Sequence, residues 1–206
     1  YFNAKLKLFT QLNKKSTAIL NIDDPYTKKI INKINCNYST YGFNKKADLY
    51  IKDYSLNIEK SKAIIQYKDE LFELETPLIG KFNLYNLSAA VLCTFELGIC
   101  KNDIIQSVKY FNNIPGRLEK YNYKSNTIII DYAHTPDAFA NIFKSIFELK
   151  NKNKKIITVF GCGGNRDSSK RKHMGKIASN YSDYIYITND NPRFEDEDKI
   201  IDNICG

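Results

Sequence analysis

The sequence is 206 residues long, with 31 Lys and Arg against 23 Asp and Glu, a net charge of +8 and 43% hydrophobic residues, enough for one large domain or two small ones. The basic residues are mostly Lys dispersed among Asn, Ile and Tyr, with no dense tract or arginine-rich arm, which argues against a nucleic-acid partner and for a solvated surface. Five Cys without CxxC spacing disfavour a disulfide framework or zinc site and fit reduced thiols in the cytoplasm, and the sequence has neither a membrane-length apolar run nor a signal peptide.

Residues 1–13 place Leu6, Phe9 and Leu12 at spacings of three and predict a helix. Thr17 to Ile22 reads as a short buried strand ending in the turn Asp23-Asp24-Pro25, and residues 26–34 as a helix. Residues 49–51, 54–58, 62–67 and 70–75 alternate apolar with polar side chains, as a small antiparallel sheet requires. Gly80 opens a helix through Leu97 that Gly98 caps, and Asn102 or Asp103 caps another helix through Phe111. Pro115-Gly116 breaks this pattern and sets the expected boundary between domains 1–116 and 117–206.

Past that point strands at 127–130, 156–160 and 184–188 alternate with helices at 137–149 and 170–181, which predicts an α/β fold with a parallel sheet and crossover helices. In such a sheet ligands bind beyond the carboxyl ends of the strands. Three polar loops fall there, at Asp131 to Asp137, Gly161 to Arg171 and Asn189 to Arg193. The start at Tyr1 and the amphipathic stretch before Gly206 read as cut ends, so an internal piece of a longer protein is expected.

Only four residues are Arg: 117, 166, 171 and 193. All stand in loops beside Gly, Pro, Asp or Asn, where a planar fork of donors can grip a carboxylate or phosphate at two points. In Asp131-Tyr132-Ala133-His134-Thr135-Pro136-Asp137, the first carboxylate can accept from ribose hydroxyls and the imidazole can face a phosphate, while Thr135 or Asp137 can cap the following helix. Gly161-Cys162-Gly163-Gly164-Asn165-Arg166-Asp167 joins a strand to a helix, where the glycines allow close backbone approach and can present amides to an anion, and Arg166, Lys170 and Arg171 favour an acidic ligand. His173 is expected to face solvent. No GxxxxGK[ST] is present to cradle a triphosphate. Asn83 and Asn86 can pair with an adenine edge, or Asn83 can serve as an N-cap. Arg117 can reach a nucleotide or form a surface ion pair.

Taken together, YFNAK at 1–5, GKFNLYNLSAA at 80–90, PGRLE at 115–119, DYAHTPDA at 131–138, GCGGNRDSSKR at 161–171 and NDNPRFED at 189–196 resemble the Mur ligases. They occur in that family's order and cover nearly the whole chain. Within the family the resemblance is to the branch that joins meso-diaminopimelate to UDP-N-acetylmuramoyl-L-alanyl-D-glutamate in peptidoglycan synthesis. It implies the second half of a central ATPase domain followed by a truncated Rossmann-like C-terminal domain. Asn165 stands where Asp is common, and Glu197 where Pro often follows the acidic pair.

The resemblance also implies roles. Lys5 would be carbamylated and ligate Mg²⁺. Asn83 and Asn86 would face adenine, Arg117 and Asp131 would contact ATP phosphate and ribose, and His134 would lie in the same loop. Arg166, Asp190, Asn191, Pro192 and Arg193 would form the amino-acid pocket, with Arg193 favouring diaminopimelate over lysine. ATP would phosphorylate the D-Glu carboxylate, and the amine would displace phosphate after closure about Pro115-Gly116. A cytoplasmic monomer is implied. The alternatives are a lysine-adding or cyanophycin-synthetase-like ligase, a non-catalytic nucleotide- or carboxylate-binding module, and a Lys-rich RNA-binding domain, although the last lacks an RNP-like aromatic motif.

Overall fold

The computed structural model describes residues 2–111, 114–150 and 153–206. Tyr1, part of the expected first helix, lies outside the described residues. Two compact units are present, residues 1–113 and 114–206.

The first unit holds α1 (Phe2–Thr10), β1 (Thr17–Asn21), α2 (Thr27–Ile31), β2 (Asn37–Gly42), β3 (Leu49–Leu56), β4 (Ser61–Tyr67), β5 (Glu70–Thr76), α3 (Lys81–Glu96) and α4 (Lys101–Lys109). Its five strands form one sheet in chain order. β1, β2 and β3 run parallel, and β3, β4 and β5 antiparallel. The expected antiparallel sheet is therefore one half of a larger mixed sheet. In this unit the strand absent from the sequence reading is β2, Asn-Tyr-Ser-Thr-Tyr-Gly, whose buried positions are Thr40 and Gly42. A strand that buries a hydroxyl and a glycine shows no apolar alternation. β3 is continuous where two segments were expected, with a bulge between Ile51 and Asp53 that interrupts the side-chain rhythm.

Leu49, Ile51, Ala63, Ile65, Phe72 and Leu74 from the sheet pack with Leu84, Leu87, Val91 and Leu92 of α3 and Ile104 and Val108 of α4. Each such side chain contributes about 1.5–3 kcal/mol of transfer free energy, so this cluster holds the unit together. α3 begins after Gly80, whose φ of 90° suits glycine, and so Asn83 lies inside the helix instead of capping it. Cys100, not Asn102 or Asp103, occupies the N-cap of α4, which ends at Lys109.

The second unit holds β6 (Glu119–Tyr123), β7 (Asn126–Ile130), α5 (Pro136–Leu149), β8 (Ile157–Phe160), α6 (Ser169–Tyr181), β9 (Tyr184–Ile187) and α7 (Glu197–Cys205). β8 and β9 pair in parallel across α6, from Ile157 opposite Tyr184 to Phe160 opposite Ile187. β7 departs from the expected parallel sheet, because its hydrogen-bonded neighbour among the described residues is β6, in an antiparallel hairpin. The turn Lys124-Ser125 brings β6 back onto β7 directly, and Lys124 takes the positive φ of 52° that such a tight turn needs. Phe139 and Phe143 of α5, Ile156, Cys162, Met174 and Ala178 of α6, and Ile200 and Ile204 of α7 make the core. Thr135 caps α5 by accepting from the Ala138 amide at 3.3 Å.

Candidate active site

In the second unit, β7 delivers the loop 131–135, β8 the loop 161–168, and β9 the loop 188–196. Asp131 Oδ2 accepts from the Leu118 amide at 2.8 Å. That bond holds Leu118 at a φ of 44°, a conformation rare for leucine, and Leu118 is buried. The Tyr132 amide donates to the Gly116 carbonyl at 2.9 Å. These two bonds lay the 116–118 segment alongside 131–132. As a result the Arg117 guanidinium lies 6.0 Å from the centre of the Tyr132 ring, and the His134 ring 5.3 Å from it on a tilted approach. Tyr132 is 69% exposed. Arg117 and His134 thus flank one exposed aromatic ring, with Asp131 next to it in the chain, a surface that suits a flat, anionic ligand.

Of the two uses expected of the glycine-rich loop, close backbone approach is the one seen at Gly161 and Gly164. The Gly164 amide donates to the Asn191 carbonyl at 2.9 Å, and the Asn165 amide donates to Glu195 Oε2 at 2.9 Å. These two amides are therefore committed to the neighbouring loop, not presented to an anion. The glycines serve close approach of backbone. A Cβ on Gly161 would lie 2.2 Å from the Thr188 carbonyl oxygen, and one on Gly164 1.9 Å from that of Pro192.

Arg171 also departs from expectation. It is fully buried and points its fork at both oxygens of Glu195, at 2.6 and 2.7 Å, so it grips an internal carboxylate instead of a ligand. Its charge and an amide from Asn165 hold the Glu195 carboxyl down at about 2. Arg193 donates through Nη1 to the Gly164 carbonyl at 2.7 Å, while its Nε and Nη2 carry no hydrogen bond to the described residues. Arg166 is exposed, with no partner among the described residues. Asp190 and Asn191 are exposed, and the Asp190 carboxylate accepts from the Asn191 amide at 2.8 Å. The Pro192 carbonyl accepts from the Glu195 amide at 3.0 Å and closes the turn.

In the first unit, the Asn83 amide group donates to the Ile79 carbonyl at 2.8 Å, and its oxygen accepts from Asn86 at 3.2 Å. Asn83 is buried and spent internally; Asn86 is the exposed member of the pair. Tyr85, between them, donates to Asp23 at 3.0 Å, and burial with that carboxylate raises its phenol to about 12. Lys5 is exposed on α1. No group of three His, Cys, Asp or Glu able to hold a metal occurs among the described residues, so Lys5 by itself does not fit a magnesium ion.

Sequence reasoning missed Glu195, the structural duty of Arg171, and the tether by which Lys170 Nζ donates to the His134 carbonyl at 2.7 Å. One signal was available. Arg171, Met174 and Ala178 follow helical spacing and form the buried stripe of α6, so an arginine on that stripe needed an internal carboxylate.

The Mur ligase middle domain matches residues 1–94, and the Mur ligase glutamate ligase domain matches residues 116–206. The chain belongs to the Mur ligase family. This Mur ligase chain is 44% identical, over 99% of its length, to the UDP-N-acetylmuramoyl-L-alanyl-D-glutamate–2,6-diaminopimelate ligase of Aquifex aeolicus, of which it spans 41%. A solved ligase of the same name superposes with a TM-score of 0.67 at 30% identity, over 99% of this chain and 42% of that one. The fold also matches a MurF ligase from Thermotoga maritima in complex with ADP, with a TM-score of 0.72 at 20% identity, over 92% of this chain and 44% of that one. The chain thus spans about two fifths of the length of the curated relatives it matches.

Proposed function

We propose that this Mur ligase chain forms part of an ATP-dependent ligase that joins meso-diaminopimelate to UDP-N-acetylmuramoyl-L-alanyl-D-glutamate. The observation that carries this reading is the meeting of two loop systems in the second unit. Lys170 ties the start of α6 to the loop bearing His134, and the same α6 follows the glycine-rich loop that is bonded to the 190–195 turn. A nucleotide surface and a carboxylate-recognising surface thereby share one framework.

In this reading ATP transfers its γ-phosphoryl group to the terminal D-Glu carboxylate, giving an acyl phosphate and ADP. The amine of diaminopimelate adds to the acyl carbon, the C–O bond to phosphate breaks, and the amine surrenders a proton as the amide forms. The protein's part is orientation and neutralisation of phosphate charge. Arg117 and His134 beside Tyr132 supply the cation and the imidazole for the nucleotide, and Asp131 lies within the same loop. Asn86 is the exposed amide suited to an adenine edge. Arg166, with a free guanidinium, and Arg193, with half of its fork free, suit the carboxylates of the amino acid, with Asp190 and Asn191 for its ammonium group. Magnesium would neutralise the transferred phosphate when bound; Lys5 as a carbamate would supply one ligand, and the described residues do not complete its site. The reading assigns no nucleic-acid partner, a cytoplasmic location and a monomer. No helix of the described residues is long and apolar enough to cross a membrane.

The test is phosphate release by the complete gene product with ATP and UDP-N-acetylmuramoyl-L-alanyl-D-glutamate. Release is expected to depend on meso-diaminopimelate. Equal release with L-lysine would overturn the assigned amino acid, and release independent of any amine would overturn the ligase.

A further inference from the structure

Two loops that carry the exposed arginines are locked together by one ion pair, a buried arginine on a half-buried glutamate. Arg171 stands in the first turn of α6 and is 0% exposed. Besides its two bonds to Glu195, its guanidinium donates to Asn203 Oδ1 at 3.1 Å and to the Gly163 carbonyl at 3.3 Å. Glu195 Oε2 also accepts from the Asn165 amide, and Asn165 Oδ1 in turn accepts from the Phe194 amide at 3.0 Å. Arg166 is the next residue after Asn165, and Arg193 is the residue before Phe194.

We propose that Arg171 and Glu195 are a positioning pair for the amino-acid site, fixing the register between the loop that delivers Arg166 and the turn that presents Asn191 and Arg193. This rests on the reading of those loops as the amino-acid site. Two features separate it from a fold-holding role. First, a guanidinium removed from water gains little net stability over well-packed apolar side chains, whereas its two-point grip fixes an orientation that apolar packing leaves loose. Second, the pair braces strained backbone on both sides. Asn165 has a φ of 50° and Arg193 a φ of 54°. Left-handed residues other than glycine persist only where their surroundings over-determine them, and here the bracing bonds run through Glu195 and Asn165. The core stripe of α6 continues through Met174 and Ala178 without the pair.

The experiment compares Glu195→Gln, Arg171→Lys and Arg193→Ala in the complete gene product, varying diaminopimelate and ATP separately. Glu195→Gln keeps the shape of the side chain and removes its charge; it is expected to raise the KM for diaminopimelate about tenfold and leave that for ATP within about twofold. Arg171→Lys keeps a buried cation and loses the fork, and should move the same constant in the same direction by about threefold. An unchanged diaminopimelate KM in a folded variant, or both KM values rising together, overturns the positioning role. If Glu195→Gln does not fold, Arg171→Lys decides by the same two outcomes. Arg193→Ala tells the two failures apart. If it too leaves the diaminopimelate KM unchanged, the amino-acid site itself is misplaced; if it alone raises that constant, only the pair is refuted.

Discussion

Lys170 Nζ donates to the backbone carbonyl of His134 at 2.7 Å, so the first turn of α6 is tethered to the loop leaving β7. The tether is a flexible side chain whose charge reaches across to a loop containing the proposed nucleotide residues. It links the two candidate surfaces of the second unit through the backbone carbonyl of His134, whose imidazole is the part proposed to meet the nucleotide.

We predict that Lys170→Met frees that loop without unfolding the unit. Amide exchange at Tyr132, whose N–H donates to the Gly116 carbonyl, should accelerate about tenfold, while exchange in the α6 core at Ala178 stays as it was. Unaltered exchange at Tyr132 would show the tether to be idle.

The glycines give a prediction with its own control. A methyl group on Gly164 would sit 1.9 Å from the Pro192 carbonyl oxygen, and one on Gly175 2.0 Å from that of Ile204. Either alanine forces backbone apart and should cost about 1–3 kcal/mol in a denaturant titration. Only Gly164→Ala opens the loop pair at the site, so it alone should weaken diaminopimelate selectively. Selective weakening by Gly175→Ala as well would mean that general loosening explains both.

Arg193→Ala removes the guanidinium whose Nε and Nη2 meet no acceptor among the described residues. The KM for diaminopimelate should rise about tenfold or more and that for ATP by far less, since a charged fork on a carboxylate contributes more than a neutral hydrogen bond. Equal increases for both substrates would remove the pocket assignment.

Stability should fall at both pH extremes for separate reasons. Glu195 has its folded-state value depressed from 4.5 to about 2 by the Arg171 fork, so its contribution is complete above 4.5 and is lost as the pH falls toward 2. Tyr85 has its value raised from 10.0 to about 12 by burial and by Asp23, so its contribution is complete below 10 and is lost as the pH rises toward 12. Melting curves of Glu195→Gln should show a shallower acid decline than the parent, and those of Tyr85→Phe a shallower alkaline decline. Parallel curves for variant and parent would contradict the corresponding assignment.

Much of this arrangement could be read along the chain, and the exceptions have identifiable causes. The helices α3, α5 and α6 and the strands β4, β5, β8 and β9 announce themselves by period, since each packs one face on a core, while β7 is legible as the β-branched run Thr127-Ile128-Ile129-Ile130 although it buries no residue. β2 does not, because its inward positions are Thr40 and Gly42. β6 does not, because Glu119-Lys120-Tyr121-Asn122-Tyr123 has no buried residue to mark a face. Asp131, His134, Arg166 and Arg193 stand in the strand-end loops where the sequence places them, and their ligand roles are proposals. Arg171, which the sequence groups with them, serves a different purpose.

The sequence by itself determined the alternation of strands and helices, the three polar loops at strand ends and the motif order that places the chain among the Mur ligases. It did so because side-chain period and turn chemistry act over a few neighbouring residues. Only the tertiary structure decided that Arg171 spends its charge on Glu195, that Asn83 is consumed by Ile79 and Asn86, and that β7 pairs with β6. Each of these depends on which partner reaches a donor first in space. Arg171 and Glu195, 24 residues apart along the chain, meet only because α6 and the turn after β9 pack against each other.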